Sequence, residues 1–230
     1  MRFLLPVISS LFELRRPPVR RVLLKQIYFT GNEAAWIMLL LGFALGGIVV
    51  SQLHDQYGQS REAAMRLLAA LSFRELTPLM VGLVLIARSS SAVASELASM
   101  RVHGELRSLM RYGIDPVGYL VLPRVLGMTV AATLLGFMLA LSAQLGGAFF
   151  VTGVDVTYQL FQMDRFVTPA MVGICLGKSA LFGFAASTLA CVVGLRAKSY
   201  VTEIPKASSR AVVRGLVLVF LLDLIWAVMS

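Results

Sequence analysis

The chain has 230 residues, of which 58% are apolar and only 14% charged, with a formal net charge of +9 and a mean hydropathy of +0.81. A soluble domain carries about 25% charged residues. Here the apolar excess is gathered into runs near or above about 18 residues, which points to membrane spans rather than to one generous soluble core. The positive charge is not interleaved with aromatic residues in a soluble frame, which argues against a nucleic-acid partner.

The start, "MRFLLPVISSLFELRR", lacks a small-residue cleavage site and does not read as a removable signal peptide. Residues 1–30 form a basic leader. Within it "VRRVLLKQIYF" places Val19, Val22, Leu23 and Ile27 on one helical face and Arg20, Arg21 and Lys25 elsewhere. That pattern suits a helix lying in the membrane surface, and a merely basic leader is the alternative. The first apolar run is 34–53. Its Gly42-x-x-x-Gly46, followed by Gly47, allows close helix approach and reads as packing. The second run, 71–93, opens on Arg74-Glu75. These are either an interfacial ion pair or residues bordering a site near headgroup level.

Next comes "SELASMRVHGELRSLMRYGIDP", a charged insert between apolar runs. Leu106, Leu109 and Met110 recur at helical spacing, while Glu105, Arg107, Ser108 and Arg111 take the other sides. Gly113 is placed to adopt the left-handed conformation that ends a helix, with Leu109 meeting Ile114 across the cap. Asp115-Pro116 turns the chain, because the residue before proline avoids the helical region. The insert, 99–113, is therefore a short amphipathic helix that either lies on the membrane or docks on a partner. Gly104 weakens a helix interior by about 1 kcal/mol relative to alanine and marks a possible helix start. Arg88 and Glu96, eight residues apart near the end of run two, either anchor the insert or face headgroups.

The remaining runs are 117–148, 169–195 and 211–229. Cys175 and Cys191 fall on one predicted helix about 24 Å apart, too far for a disulfide. His54 and His103 are far apart, so no metal site can be argued. Lys178 and Asp223 are the charges deepest in predicted spans, where charges are costly and normally paired or functional. The expectation is a Lys178–Asp223 pair tying spans four and five, or answering a conformational change. Lysine and arginine in the connections set the orientation. With the N-terminus cytoplasmic, sixteen fall inside and four outside, which puts the insert in the cytoplasm and the C-terminus on the far side. The fold class is all-α integral membrane: five transmembrane helices, an interfacial leader and a cytoplasmic helix.

The stretch "FRELTPLMVGLVLIARSSSAVASELASM", followed by "GIDPVGYLVLPRVLG", resembles the MlaE-type (YrbE-type) permeases of ABC lipid transporters. The stretches "LLKQIYFTG", "SQL", "LGKSALFG" and "LLDL" agree, so the resemblance covers nearly the whole chain. It implies a homodimer in the bacterial inner membrane, with a cavity between protomers that opens to the periplasm and holds lipid. It also implies a cytoplasmic ABC ATPase that grips the insert as a coupling helix, and a periplasmic MCE-domain protein that exchanges lipid. A small cytoplasmic accessory subunit is compatible with it. On that reading Glu96, Leu97, Met100, Glu105, Leu106, Leu109, Met110, Gly113 and Asp115 face the ATPase. Gln52, Arg74, Glu75 and Leu79 are candidates for the lipid cavity. Phospholipid is the default substrate, with sterols or other hydrophobic molecules as the alternative.

Departures from the family pattern include Ala87 and Ser89 in place of glycines beside Arg88, and Gly104-Glu105 in place of an acidic-Gln pair. The family also favours acidic residues near Arg107 and Met110, so this insert is more basic than usual, which implies a matching ATPase surface. The chain has no Gly-x-x-x-x-Gly-Lys-Ser/Thr loop, so it is expected to hold no cofactor, with ATP and magnesium on the partner. A membrane serine hydrolase built on Ser89 to Ser91 and His103 is the enzyme alternative. It lacks Gly-x-Ser-x-Gly, and its histidine lies outside the span. A passive channel is the third reading, and it leaves the docking-shaped insert unexplained.

Overall fold

The structure is a computed structural model and describes residues 17–57, 61–152 and 167–229. Its helices are α1 (Pro17–Tyr57), α2 (Arg61–Leu71), α3 (Thr77–Leu85), α4 (Ser91–Val102), α5 (Glu105–Arg111), α6 (Leu122–Thr152), α7 (Pro169–Leu195) and α8 (Glu203–Met229). Among the described residues there is no strand. In hydrocarbon each backbone N–H and C=O must be satisfied within its own segment, and helices do this. Among the described residues, five stretches are long and apolar enough to cross a membrane: Arg21–Leu53, Ala64–Val102, Val117–Phe150, Pro169–Leu195 and Glu203–Met229. The protein is an all-α, multi-pass membrane protein.

The helices overrun the apolar segments that announce them. Residues 17–30, expected as a separate surface helix, are the opening turns of α1 and run without a break through Gly31. The earlier part of that leader lies outside the described residues. The second span likewise begins before residue 71 and continues to Val102. Hydropathy marks the part of a helix that matches the bilayer, whereas a helix stops only where its backbone is interrupted. Lone glycine is a weak interruption, worth about 1 kcal/mol.

Single π-turns at Ser72–Leu76, Ile86–Ser90 and Val117–Val121 punctuate the second and third spans. Pro78 and Pro123 follow the first and third of them. A proline has no N–H for the carbonyl four residues back, here Arg74 and Tyr119, and each of those carbonyls sits inside the widened turn. At the middle turn, the Ser91 hydroxyl donates to the carbonyls of Ala87 and Arg88, at 2.8 and 2.9 Å.

The chain divides into two compact units. The first draws on residues 1–30, 82–131 and 181–230, the second on 31–81 and 132–180. In the first, a core of Val93, Ala94, Leu97, Ala98, Leu120, Val121, Val125 and Met128 is joined by Ala190, Cys191, Ala207 and Ala211. α8 enters it through a small-residue edge, Ala207, Ala211, Gly215 and Val219, and leaves Val217, Phe220, Leu221 and Leu224 exposed. Such an outward apolar face suits lipid.

The second unit holds α1 and α6 in close contact. A β-carbon on Gly46 would run into the Ala143 carbonyl, and one on Gly146 into the Phe43 carbonyl. The Gly42-x-x-x-Gly46 pattern is thus helix packing. Cys175 and Cys191 are both free and buried.

Candidate functional site

The insert is built from bonds between near neighbours in sequence. α4 ends where the amides of His103 and Gly104 bond the carbonyls of Ser99 and Arg101, at 3.0 and 3.2 Å. Gly104 then takes φ +78°, a conformation that glycine adopts without a steric penalty, and α5 begins at Glu105. Residues 99–102 therefore complete α4, and the insert's own helix is the seven residues Glu105–Arg111. At its far end Gly113 has φ +73°. The Ile114 amide bonds the Leu109 carbonyl at 3.0 Å and the Gly113 amide bonds Met110 at 3.1 Å. These are the two bonds of a Schellman ending.

Asp115 does more than turn the chain. Its carboxylate accepts the amides of Val117 and Gly118, at 3.1 and 3.2 Å, so it caps the start of the third span with Pro116 at the first helical position. Gly-Ile-Asp-Pro is a helix stop followed directly by a helix start.

The faces of α5 correct the sequence reading. Leu106 is buried in the first unit's core, with Leu109 and Met100 packed against that core. Leu97 is fully buried there as well. The apolar stripe expected to meet a partner is used to hold α5 on its own chain. The physical reason is length: an isolated helix below about 12 residues is marginal in water, so seven residues need their apolar side for anchorage. The exposed face consists of Glu105, Arg107, Ser108, Met110 and Arg111. Beyond it stand Tyr112, 82% exposed, and Ile114. The sequence reading passed over Tyr112. The available signal was an aromatic residue directly before the helix-ending glycine, where no core lies within reach.

Glu96 stands on α4, not on α5. Its carboxylate is 2.8 Å from Nη2 of Arg124, near the start of α6. Arg124 is 5% exposed. The Arg101 guanidinium donates to the carbonyl of Leu195, the last residue of α7.

A second charged site lies in the second unit. Lys178 on α7 is fully buried. Its Nζ is 2.6 Å from Glu75 Oε2 and donates to the Arg74 carbonyl at 3.2 Å. Pro78 explains the second bond, since the amide that would ordinarily reach that carbonyl is missing and the lysine takes its place. Glu75 is thus an ion partner of Lys178 that the sequence reading did not name. Arg74 and Gln52 are exposed, and Glu75 and Leu79 are partly buried.

Two residues of the hydrolase alternative are bonded within their own stretch of helix. His103 Nδ1 donates to the Ser99 carbonyl one turn back at 2.8 Å, and Ser91 is bonded to its own helix. Among the described residues, no three His, Cys, Asp or Glu side chains gather in a way that could hold a metal ion.

A model of the permease MlaE family matches residues 23–229. A probable ABC transporter permease protein of Rickettsia felis is 27% identical over 214 residues, covering 90% of this chain and 82% of the relative. One from Synechocystis is 28% identical over 208 residues, 88% of this chain and 79% of the relative. Protein TRIGALACTOSYLDIACYLGLYCEROL 1, chloroplastic, of Arabidopsis thaliana is 29% identical over 210 residues, 88% of this chain and 59% of the relative. Five spans, a short helix stopped by Gly-Ile-Asp-Pro, and a match running from the first span to the last agree on one assignment: the chain belongs to the MlaE family of ABC transporter permeases.

Proposed function

We propose that the chain is the membrane subunit of an ABC lipid transporter, and that a separate cytoplasmic ATPase acts on it through α5. The observation that carries this reading is the way α5 is held. A seven-residue helix, too short to stand alone, is fastened to the core by Leu106 and bounded by Gly104 and Gly113. It presents Met110, Tyr112, Arg107 and Arg111 outward. A helix lying on lipid would turn its apolar stripe to the membrane. This one turns that stripe into its own protein and offers solvent a mixed apolar and basic end, which suits a protein groove.

In this reading ATP and magnesium are held by the partner, and this chain supplies the path for the cargo. The chain works as a homodimer in a bacterial inner membrane, N-terminus cytoplasmic and C-terminus periplasmic. The sixteen-to-four distribution of lysine and arginine supports that orientation. Family membership supports exchange with a periplasmic MCE-domain protein and leaves room for a small accessory subunit. A glycerolipid substrate, phospholipid by default, is supported by the family and by the lipid that names the Arabidopsis relative. Exposed Arg74 and Gln52, with Glu75 and Leu79 partly buried, are the candidates for meeting it.

Co-purification tests the coupling. An ATPase should accompany the tagged chain, and Tyr112→Glu should release it without lowering the yield of folded protein. An ATPase retained at the wild-type level by both Tyr112→Glu and Met110→Glu would overturn the assignment of α5. Mass spectrometry of the lipid held by the wild-type complex decides between phospholipid and sterol.

A further inference from the structure

The base of the insert contains a charge that packing does not ask for. Arg124 is 5% exposed; Val121 and Val125, close to it in sequence, and Leu97 and Ala98, which follow Glu96 on α4, all belong to the buried core of the first unit. Arg124 is compensated at Nη2 by Glu96, while its Nη1 has no hydrogen-bond partner among the described residues. The Glu96 side chain is 55% exposed. As a stability device this is poor, because well-packed apolar side chains of similar volume commonly do as well as a buried ion pair or better. A directional ion pair, here with only its arginine buried, does something apolar packing does not: it fixes one register between two helices, since a slide by one residue breaks its hydrogen bond.

The position of the pair gives that property a use. Glu96 lies six residues before the end of α4 at Val102 and Arg124 seven after the start of the third span at Val117, so the bond is about 9 Å along α4 and about 10 Å along the third span from the segments that flank α5. Both ends of α5 are glycines with positive φ, where a push on α5 can dissipate in backbone rotation. Apolar contacts beneath Leu106 would allow α4 and α6 to slide past one another. Arg101 fastens the last turn of α4 to the end of α7, and the Glu96–Arg124 bond fastens α4 to α6.

We infer that Glu96 and Arg124 are a positioning pair. They lock α4 to the start of α6, so that displacement of α5 is delivered to the spans instead of being absorbed at Gly104 and Gly113. The pair acts through the helices it joins and touches neither nucleotide nor lipid. This inference rests on α5 being the point where the ATPase acts.

The test uses the chain in complex with its co-purified ATPase, in vesicles of phosphatidylethanolamine and phosphatidylglycerol carrying a fluorescent phospholipid. ATP hydrolysis and lipid transfer are measured on the same sample. Glu96→Gln should keep the ATPase bound and hydrolysing within about twofold of wild type, while lipid moved per ATP falls about tenfold, mid-range for coupling between sites. Arg124→Lys should fall between, because an ammonium lacks the guanidinium's fork. The exchange Glu96→Arg with Arg124→Glu should recover most of the ratio.

A normal lipid-to-ATP ratio in Glu96→Gln, whatever its yield, would overturn the inference, as would an exchange variant no better than the single ones. Should Glu96→Gln fail to accumulate, Glu96→Leu with Arg124→Met restores packing without the directional bond. It should accumulate and remain uncoupled, and a wild-type ratio there would again overturn the pair's role. Failure of the docking assignment itself looks different: the ATPase stays bound when Tyr112 is changed, with the Glu96–Arg124 bond intact.

Discussion

The insert and the buried lysine site are both charged interruptions in an apolar chain, and they are made in opposite ways. At α5 the defining bonds run between residues two to five apart: Ile114 to Leu109, Gly113 to Met110, Asp115 to Val117 and Gly118. At Lys178 the defining bonds span more than a hundred residues, to Glu75 and to the Arg74 carbonyl. The first arrangement leaves its charges in water, where they cost little. The second removes an ammonium from water and must return its solvation through a carboxylate and a carbonyl freed by Pro78. Local bonding makes a stiff, exposed element that a partner can push. Distant bonding makes a hidden tie.

Substitutions should separate the two. The largest effect is expected at Leu106, where the insert meets the core. Leu106→Ala should cost about 3 kcal/mol, within the range for a buried leucine, and appear as a lowered melting temperature of the detergent-purified chain. An unchanged melt would mean that α5 is held by its caps alone. Leu106→Arg would also detach an ATPase, but by unseating α5 rather than by altering a contact surface.

The second effect belongs to the lysine site. Glu75→Leu should cost about 2 kcal/mol. This is below the usual figure for breaking a buried pair, because the Glu75 side chain is 43% exposed. Lys178→Met, which removes the buried charge and keeps the volume, should cost under about 1 kcal/mol. Equal losses in both variants would show that Lys178 is needed for its hydrogen bonds rather than burdened by its charge.

The same contrast governs what was legible in the sequence. Helix number, the glycine at the end of α5 and the packing use of Gly42 and Gly46 follow from spacing and residue type, which act within a few residues. The end of α4 could be anticipated from Gly104 for the same reason. The choice of Glu75 as a partner for Lys178 could not be. It depends on which turn of the second span faces α7, and the π-turn at Ser72–Leu76 rotates that span in a way hydropathy does not record. The inward turn of Leu106 was hidden differently. Amphipathicity reveals that a helix has an apolar face, and nothing in the pattern states whether the chain itself or a partner covers it.

A third, smaller effect tests the cap that joins the insert to the third span. Asp115→Ala should cost about 1 kcal/mol, the usual value of an N-cap side chain, and Asp115→Asn should restore most of it. If aspartate, asparagine and alanine melt alike, the two amide bonds contribute nothing to stability, and any loss of ATPase binding in the alanine variant would make Asp115 a contact residue instead.

The smallest effect on stability is the sharpest test of the comparison. Tyr112 is exposed beyond the end of α5 and precedes a glycine whose backbone alone closes the helix, so Tyr112→Ala should leave the melting temperature within the span of ordinary surface changes, about 0.5 kcal/mol. Its effect on partner binding should be large all the same. Aromatic side chains bring wide contact area at low conformational cost and are over-represented among residues that dominate interfaces, where truncation costs about 2 kcal/mol or more. Binding of the ATPase, measured by titration into detergent-solubilised chain, should weaken by roughly thirtyfold, the factor that 2 kcal/mol represents. Glu75→Leu should leave that titration unchanged while lowering the melt, the reverse of Tyr112→Ala. If both variants shifted both measurements, the exposed insert and the buried tie would be parts of one cooperative element, and the division between a pushed surface and a hidden brace would have to be abandoned.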